Sequence, residues 1–323
     1  MSEIYSQWPS RVYALQSYLQ DNETERMNLQ SMLDQHFTKL FGYQAVTTSS
    51  GQSSLAIILN YYQANRSQIM YVPRWSSHCL WNVSGTYTDP TCISPNEADI
   101  ILTVHKYGFV EKYNSIRNQI VIEDSCDSLL ISNESCFSNG GEFEFISLPK
   151  IMGVYSGGVI LCREPKHADF LRLVARNFGD YNEFAGMQRY NGFTGSGQSI
   201  CDPEVHERRN YCPDLTVLKT ISNNLTSFEN NKNLILDRIN YIDKFAPQLL
   251  ASAGRLTPGR LPPVLPIPIK EEVSDRVVVR RVNISRNLNS PNYVPCALIP
   301  LHFGVKDDVF KFVVNCLIHN CSF

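Results

Sequence analysis

The sequence has little net charge of either sign. Its 323 residues sum to a formal −2, so the overall balance offers no footprint for a nucleic acid or for a membrane surface. It also lacks a basic segment followed by an apolar one at its start, and no stretch approaches the roughly 20 apolar residues of a spanning helix. These absences lead to a reading of a cytoplasmic protein with neither nucleic acid nor membrane as partner. The ten cysteines contain no Cys-x-x-Cys, and a chain of this size does not need covalent staples. Reduced thiols are expected rather than a zinc site or a disulfide framework, and the Asn-x-Ser matches at Asn82 and Asn133 are then coincidental. No repeat is evident. The Gly-Lys-Ser/Thr of a Walker A loop is missing, which excludes that kind of nucleotide site.

What is present is the balance of a folded protein, 43% hydrophobic and 19% charged, with a length that suggests about two domains. "RMNLQSMLDQHFTKLF" sets Met27, Leu29, Met32, Leu33, Phe37, Leu40 and Phe41 at helical spacing, with Gly42 as a stop. "AVTTSS" then reaches Gly51, and "SSLAIILNYYQ" resumes a helix. The runs "QIMYVP", "DIILTVH", "QIVIED" and "GGVILC" are short, continuously apolar and separated by helical or loop segments. Such strands suit a mostly parallel sheet covered by helices on both faces, the α/β class, in which ligands collect beyond the carboxyl ends of the strands. Ser50, Pro73, His105 and Asp124 fall there. From about residue 226 the pattern changes to one or two long helices, a Pro-rich connection "TPGRLPPVLPIP", strands in "DRVVVRRVNIS" and "CALIPLHF", and a closing helix. This predicts a large domain over 1–225 and a smaller α+β domain over 226–323.

Three short stretches carry chemistry. "SSGQSSLAIIL" is a glycine turn entering a helix, which reads either as an ordinary capped helix start or as an anion site built from free N–H groups and the hydroxyls of Ser50, Ser53 and Ser54. "IVIEDSCD" delivers Glu123 and Asp124 to a strand end, so at least one carboxylate reaches the rim, or Asp124 is a helix cap. "FISLPKIMGVYSGG" places Lys150 in an apolar run. A lysine ammonium is rarely buried without a partner, but a sheltered neutral amine is what imine formation requires. Pyridoxal phosphate (PLP) needs such a lysine, an anion cradle for its phosphate, and a carboxylate beside its ring nitrogen. The sequence has all three, in the order cradle, carboxylate, lysine. Ser-x-x-Lys also occurs in penicillin-recognising enzymes, but their Ser-Asp-Asn and Lys-Thr-Gly partners are absent.

With these stretches the sequence resembles the fold-type-I PLP enzymes, and more narrowly the DegT/DnrJ/StrS family of nucleotide-sugar aminotransferases. "FGYQAVTTSSGQSSLAI" is similar to that family's phosphate turn, "YVPRWSSHCLWNV" to the segment supplying the residue that stacks on the ring, "IVIEDSCDSLL" to its Glu-Asp strand end, and "SLPKIMGVYSGGVILC" to its lysine segment. The resemblance implies that Lys150 forms the imine and moves the proton, and that Asp124 pairs with the ring nitrogen. Ser50, Gly51, Gln52, Ser53 and Ser147 would hold the phosphate, and Trp75 or His78 would stack on the ring, or the family's aromatic position falls on Ser77. Asn210, in "RRNYCPD", would reach the phosphate of a partner subunit in a homodimer. The activity implied is amino transfer from an amino acid, glutamate in the first instance, to a nucleotide-linked keto sugar.

The sequence also departs from the family pattern. Ser147 and Lys150 are three residues apart, where the sugar enzymes more often show a longer gap, and Asp127 stands where Gln or His is usual beside the cofactor oxygen. The chain is shorter than typical members. These departures keep two alternatives in view, a PLP-dependent sugar dehydratase or other PLP enzyme, and a non-catalytic descendant. The known dehydratase of the family has His in place of the lysine, so Lys150 favours transamination. Arg276, Arg280, Arg281 and Arg286 alternate unevenly on a strand, as a solvated face or as partners of a nucleotide diphosphate. His105 is expected to be a structural hydrogen-bonder, and His302 either faces the substrate entrance or sits satisfied in the core. "GFTGSGQS", 192–199, reads as a Gly/Ser loop.

Overall fold

The computed structural model describes residues 5–9, 11, 13–116, 118–178, 211–270 and 276–320. Helix α1 (Glu23–Phe41) starts where the Asn22 side chain accepts from the Glu25 N–H and stops at left-handed Gly42, whose N–H donates to Thr38 O. Its inner face is Leu33, Phe37 and Phe41, whereas Met27 and Met32 turn outward. Strand β1 (Gln44–Thr48) leads through Ser50 into α2 (Gly51–Tyr61), followed by β2 (Ile69–Tyr71), α3 (His78–Tyr87), β3 (Asp89–Thr91), β4 (Ile100–Val104), β5 (Ile120–Asp124) and the short β6 (Leu129–Leu130). Strand β7 (Phe143–Ser147) runs directly into α4 (Leu148–Met152), and β8 (Gly158–Cys162) precedes α5 (Lys166–Phe178).

Strands β1 to β5, β7 and β8 form one seven-stranded sheet in the order β1-β8-β7-β5-β4-β2-β3. Strand β8 alone runs against its neighbours β1 and β7, which makes the sheet mostly parallel, as the continuous apolar strands predicted. Residues of period two go to opposite faces. Ile160 and Cys162 enter one core with α2 and α5, while Val159 and Leu161 enter the other with α1. The same alternation sends Ile122 to the α2 side and Glu123 to the other, and so points Asp124 toward α2.

The C-terminal part contains α6 (Leu215–Asn223), α7 (Thr226–Phe245), α8 (Pro247–Ala253), β9 (Arg260–Leu261), β10 (Val264–Pro268), β11 (Val279–Asn283), β12 (Tyr293–Pro300) and α9 (Asp307–Asn320). The stretch expected to be one or two long helices is three, because Asn224 ends α6 and Pro247, which has no N–H to donate, opens α8. The Pro-rich connection holds two strands. Strand β10 tolerates Pro266 and Pro268 because it lies at the edge of the antiparallel sheet β10-β12-β11. Ile235, Leu265, Ile267 and Leu298 share one core with Phe37, Ile146 and Leu161 of the large sheet. Among the described residues no helix is long and apolar enough to cross a membrane, the cysteines are free thiols, and no cluster of side chains could hold a metal ion.

A buried ionic network fastens the C-terminal part beneath the sheet. Arg260, 1% exposed, donates to Glu144 Oε1 at 2.6 Å and to Ser125 Oγ at 2.5 Å, and β9 pairs with β6 beside it. Glu144 also accepts from the Phe137 N–H at 2.7 Å. Removing one member of such a pair strands a charge in the interior. Arg260→Met is expected to lower the unfolding free energy by about 3–5 kcal/mol, read as a lower urea midpoint; an unchanged midpoint would contradict the role given to the pair.

Candidate active site

The cavity at the carboxyl ends of β5 and β7 has a volume of about 340 Å³ and is lined by Ser50, Gly51, Gln52, Ser77, Asp124, Cys126, Ser147 and Lys150 among others. Its floor is the first turn of α2. Ser50 caps this helix by accepting from the Ser53 N–H at 3.1 Å, and the amides of Gly51 and Gln52 fall in the first turn, where a helix supplies no internal acceptor. A Cβ on Gly51 would lie 3.0 Å from Cys126 Sγ and 3.4 Å from Ser147 Cβ. A side chain there would press on Cys126 and on the end of β7. Behind it, a Cβ on Gly158 would fall 2.6 Å from the carbonyl of Ser50, so β8 presses on the turn with no side chain between them. Two neighbouring polar groups of this lining are free to meet a ligand. Ser147 makes no side-chain cap bond at the start of α4, and Gln52 Oε1 is buried without a hydrogen-bond partner.

Lys150 projects from α4, whose other residues, Leu148, Pro149, Ile151 and Met152, are all buried. The helix ends at left-handed Gly153, which donates to Pro149 O at 3.0 Å, and Asn231 of α7 donates to Ile151 O at 3.0 Å. The apolar run is therefore a clamp that leaves the lysine as its one outlet. Lys150 Nζ donates to Asp127 Oδ1 at 2.7 Å, with the lysine side chain 25% and the aspartate 11% exposed. Burial works to lower the lysine's pKa, but the carboxylates of Asp127 and Asp124 outweigh it and the net shift is upward. Asp124 is pushed up to about 6 by burial and then by the charge of Asp127, while Lys150 and the Cys126 N–H, 2.7 Å from Asp124 Oδ1, pull the other way.

The indole of Trp8 lies over the ammonium, its centroid 4.6 Å from Lys150 Nζ, a cation–π contact. Trp8 belongs to an N-terminal arm tied to both parts of the chain. The Val278 N–H donates to Tyr5 Oη at 3.1 Å, His302 Nε2 to Ser6 O at 3.1 Å, and the Tyr13 N–H to Gly153 O at 3.1 Å. Sequence reasoning missed Trp8 and Arg11, which also lines the cavity; the arm precedes the first periodic segment, and "WPSR" has no spacing to read.

The site residues singled out in the sequence divide. Lys150, Asp124, Ser147, Ser50, Gly51 and Gln52 meet at the cavity. Ser53 lies just behind, its Oγ 3.0 Å from Ser50 Oγ, and Asp127 joins them through Lys150. Trp75 and His78 do not line the cavity; Ser77 and Cys79 do. The reason is local. Ser77 is the extended N-cap of α3, which turns Trp75 back into a separate small cavity with Lys106, Phe109 and Tyr293, while His78 lies exposed, 3.1 Å from Asn82 Nδ2. Asn210 and the 192–199 loop lie outside the described residues. His105 is structural. It accepts from the Glu111 N–H through Nδ1 at 3.2 Å and so donates through Nε2 to Glu123 at 2.8 Å, with burial lowering its pKa to about 3. His302 is likewise fully buried and holds the arm rather than facing an entrance.

An uncommitted serine hydroxyl, a helix start closed by a glycine, a buried carboxylate and a sheltered amine in one cavity fit PLP, part for part. Fold and site together define a PLP-dependent enzyme of the fold-type-I class. A family model described as "Putative PLP-dependent aminotransferase" matches residues 36–321, and the chain belongs to that family. Solved structures with the same fold include a DegT/DnrJ/EryC1/StrS aminotransferase from Brucella abortus, at TM-score 0.59 and 13% identity over 97% of this chain and 92% of that one. The aminotransferase TlmJ from Streptoalloteichus hindustanus aligns at TM-score 0.60 and 12% identity, over 97% and 98% of the two chains. The GDP-4-keto-6-deoxy-D-mannose-3-dehydratase of E. coli, with bound hydrated PLP, aligns at 0.60 and 15%, over 98% and 100%. No curated protein matches the sequence.

Because Asp127 stabilises the ammonium, its removal makes Lys150 neutral at lower pH. In Asp127→Asn, capture of a simple soluble aldehyde by Lys150, trapped with borohydride and counted by mass, should shift its pH midpoint down by about 1–3 units. A midpoint that stays or rises would contradict the pairing.

Proposed function

We propose that this aminotransferase moves an amino group from an amino acid, with glutamate as donor, to a nucleotide-linked keto sugar, and that Lys150 is its catalytic residue. The observation that carries the reading is the convergence of Lys150, Asp124 and the Ser50–Gln52 turn on one cavity. PLP, when bound, supplies an aldehyde carbon that carries the amino group and a ring that withdraws electrons from it. The chain's residues do the rest. The hydroxyls of Ser50 and Ser147 and the amides of Gly51 and Gln52 hold the phosphate, and Asp124 keeps a proton on the ring nitrogen. Lys150 Nζ would hold the cofactor and, as a neutral amine, would take a proton from the amino-bearing carbon of the substrate. Asp127 would accept from the ammonium that Lys150 becomes on taking that proton, the contact seen at 2.7 Å in this structure, and Trp8 covers it against water.

The sugar half of the proposal is supported by neighbours of the same fold, one of which is named for a GDP-linked keto sugar. A lysine at position 150 favours amino transfer over dehydration. The same reading includes a homodimer with the site at its interface, and a cytoplasmic location.

Purified protein supplied with PLP should show a yellow absorption band that shifts when glutamate is added, and Lys150→Ala should lose the band together with at least about 99.9% of the activity, the share that general base and covalent catalysis carry. Absence of a band in the native chain would sink the proposal.

A further inference from the structure

We propose that Trp75, Arg74 and Arg281 form the binding site for a nucleoside diphosphate, the base resting on the indole and the two phosphates held by the guanidinium groups. This deepens the preceding proposal and rests on its nucleotide-linked substrate. Trp75 is 43% exposed, so part of its indole is open to a ligand. Arg74, its neighbour in the loop before α3, and Arg281, from the outward face of β11, each hold Cζ 5.7 Å from the centroid of that one ring. Both arginines are exposed. Among the described residues neither is ion-paired with a carboxylate.

Two like charges drawn to one ring repel each other. Cation–π attraction of about 0.5–1 kcal/mol at exposed sites offsets part of that repulsion, and a dianion between them would reverse its sign. Guanidinium groups suit phosphate oxygens through paired N–H donors. A planar base stacking on the indole would displace a guanidinium group from over the ring, and its contact of about 1–3 kcal/mol exceeds the cation–π attraction it replaces. The location also fits. Lys106 Nζ donates to the carbonyl of Trp75 at 2.8 Å, and among charged groups Asp127 and Lys150 act on Lys106 most strongly. Ser77, two residues beyond Trp75, lines the Lys150 cavity. A ligand with its base on Trp75 and its diphosphate between the arginines would therefore deliver the attached sugar toward Lys150.

The test is calorimetric titration of the PLP-loaded chain with UDP, GDP, dTDP and CDP, and with pyrophosphate as an anion without a base. At least one nucleoside diphosphate should bind more tightly than pyrophosphate. Trp75→Leu should weaken the nucleotide about tenfold and leave pyrophosphate unchanged, and Arg281→Gln should weaken both about tenfold, each step worth about 1.4 kcal/mol. The cofactor's absorption and the thermal midpoint, retained in both variants, report that they fold. Unchanged nucleotide binding in both variants would overturn this site and leave the nucleotide-linked substrate standing; no binding of any nucleoside diphosphate to the native chain would overturn the substrate reading and the site with it.

Discussion

The site depends on a three-way contact that leaves no room for a side chain. The first turn of α2 touches Cys126 and the β7–α4 corner at Gly51, and the strand after that corner touches Ser50 at Gly158. The chain is bridged there again, with Gly157 N–H donating to Ser49 O at 2.8 Å and Leu148 N–H to Gly157 O at 3.1 Å. An anion cradle, a carboxylate strand and a lysine helix are thereby fixed to one another through backbone, the least deformable part of a protein. A Cβ at Gly158 would meet the Ser50 backbone and force these segments apart, and close-packed interiors absorb such a displacement at a cost of about 1–3 kcal/mol. The position of Lys150 relative to Ser147 and Asp124 is thus a property of the sheet rather than of a mobile side chain.

Charge is sorted by the faces of that sheet. Asp124 goes to the cavity, while Glu123 and Glu144 go beneath it, where His105, the Asn139 and Gly141 amides and Arg260 satisfy them. Carboxylates of similar sequence context end in different chemistry because alternation separates them by one residue. On the cavity side, Asp124 and Asp127 both act on one ammonium. Burial alone would favour a neutral Lys150, and the second carboxylate reverses this. The chain thus holds its lysine charged until another partner takes Asp127's place. Asp127 is one of the departures from the family pattern, and it acts on the ionisation of Lys150.

Much of the site was legible because its parts lie in contiguous motifs. The glycine turn, the Glu-Asp strand end and the lysine in an apolar run can each be read from spacing, and α2, β4, β5 and β8 from apolar runs. What escaped depends on long-range placement. Trp75 and His78 were the ring-stacking candidates that the family resemblance implied, yet the extended N-cap at Ser77 leaves neither lining the cavity. Trp8 could not be found, since an arm held by Tyr5, Ser6 and Tyr13 to residues hundreds of positions later has no pattern of its own. Strand β7 hid inside the lysine motif because Glu144, buried against Arg260, broke the apolar run. Strand β10 hid among prolines that only an edge position permits.

Two lysines compete for the role given to one. Lys106, whose pKa is lowered by burial, is the more easily neutralised amine, while Lys150 stands in the cavity with the cradle. Borohydride reduction of the native chain with PLP, followed by peptide mapping, separates them. The geometry predicts a single pyridoxyl label on Lys150; a label on Lys106, or none on either, would contradict the account.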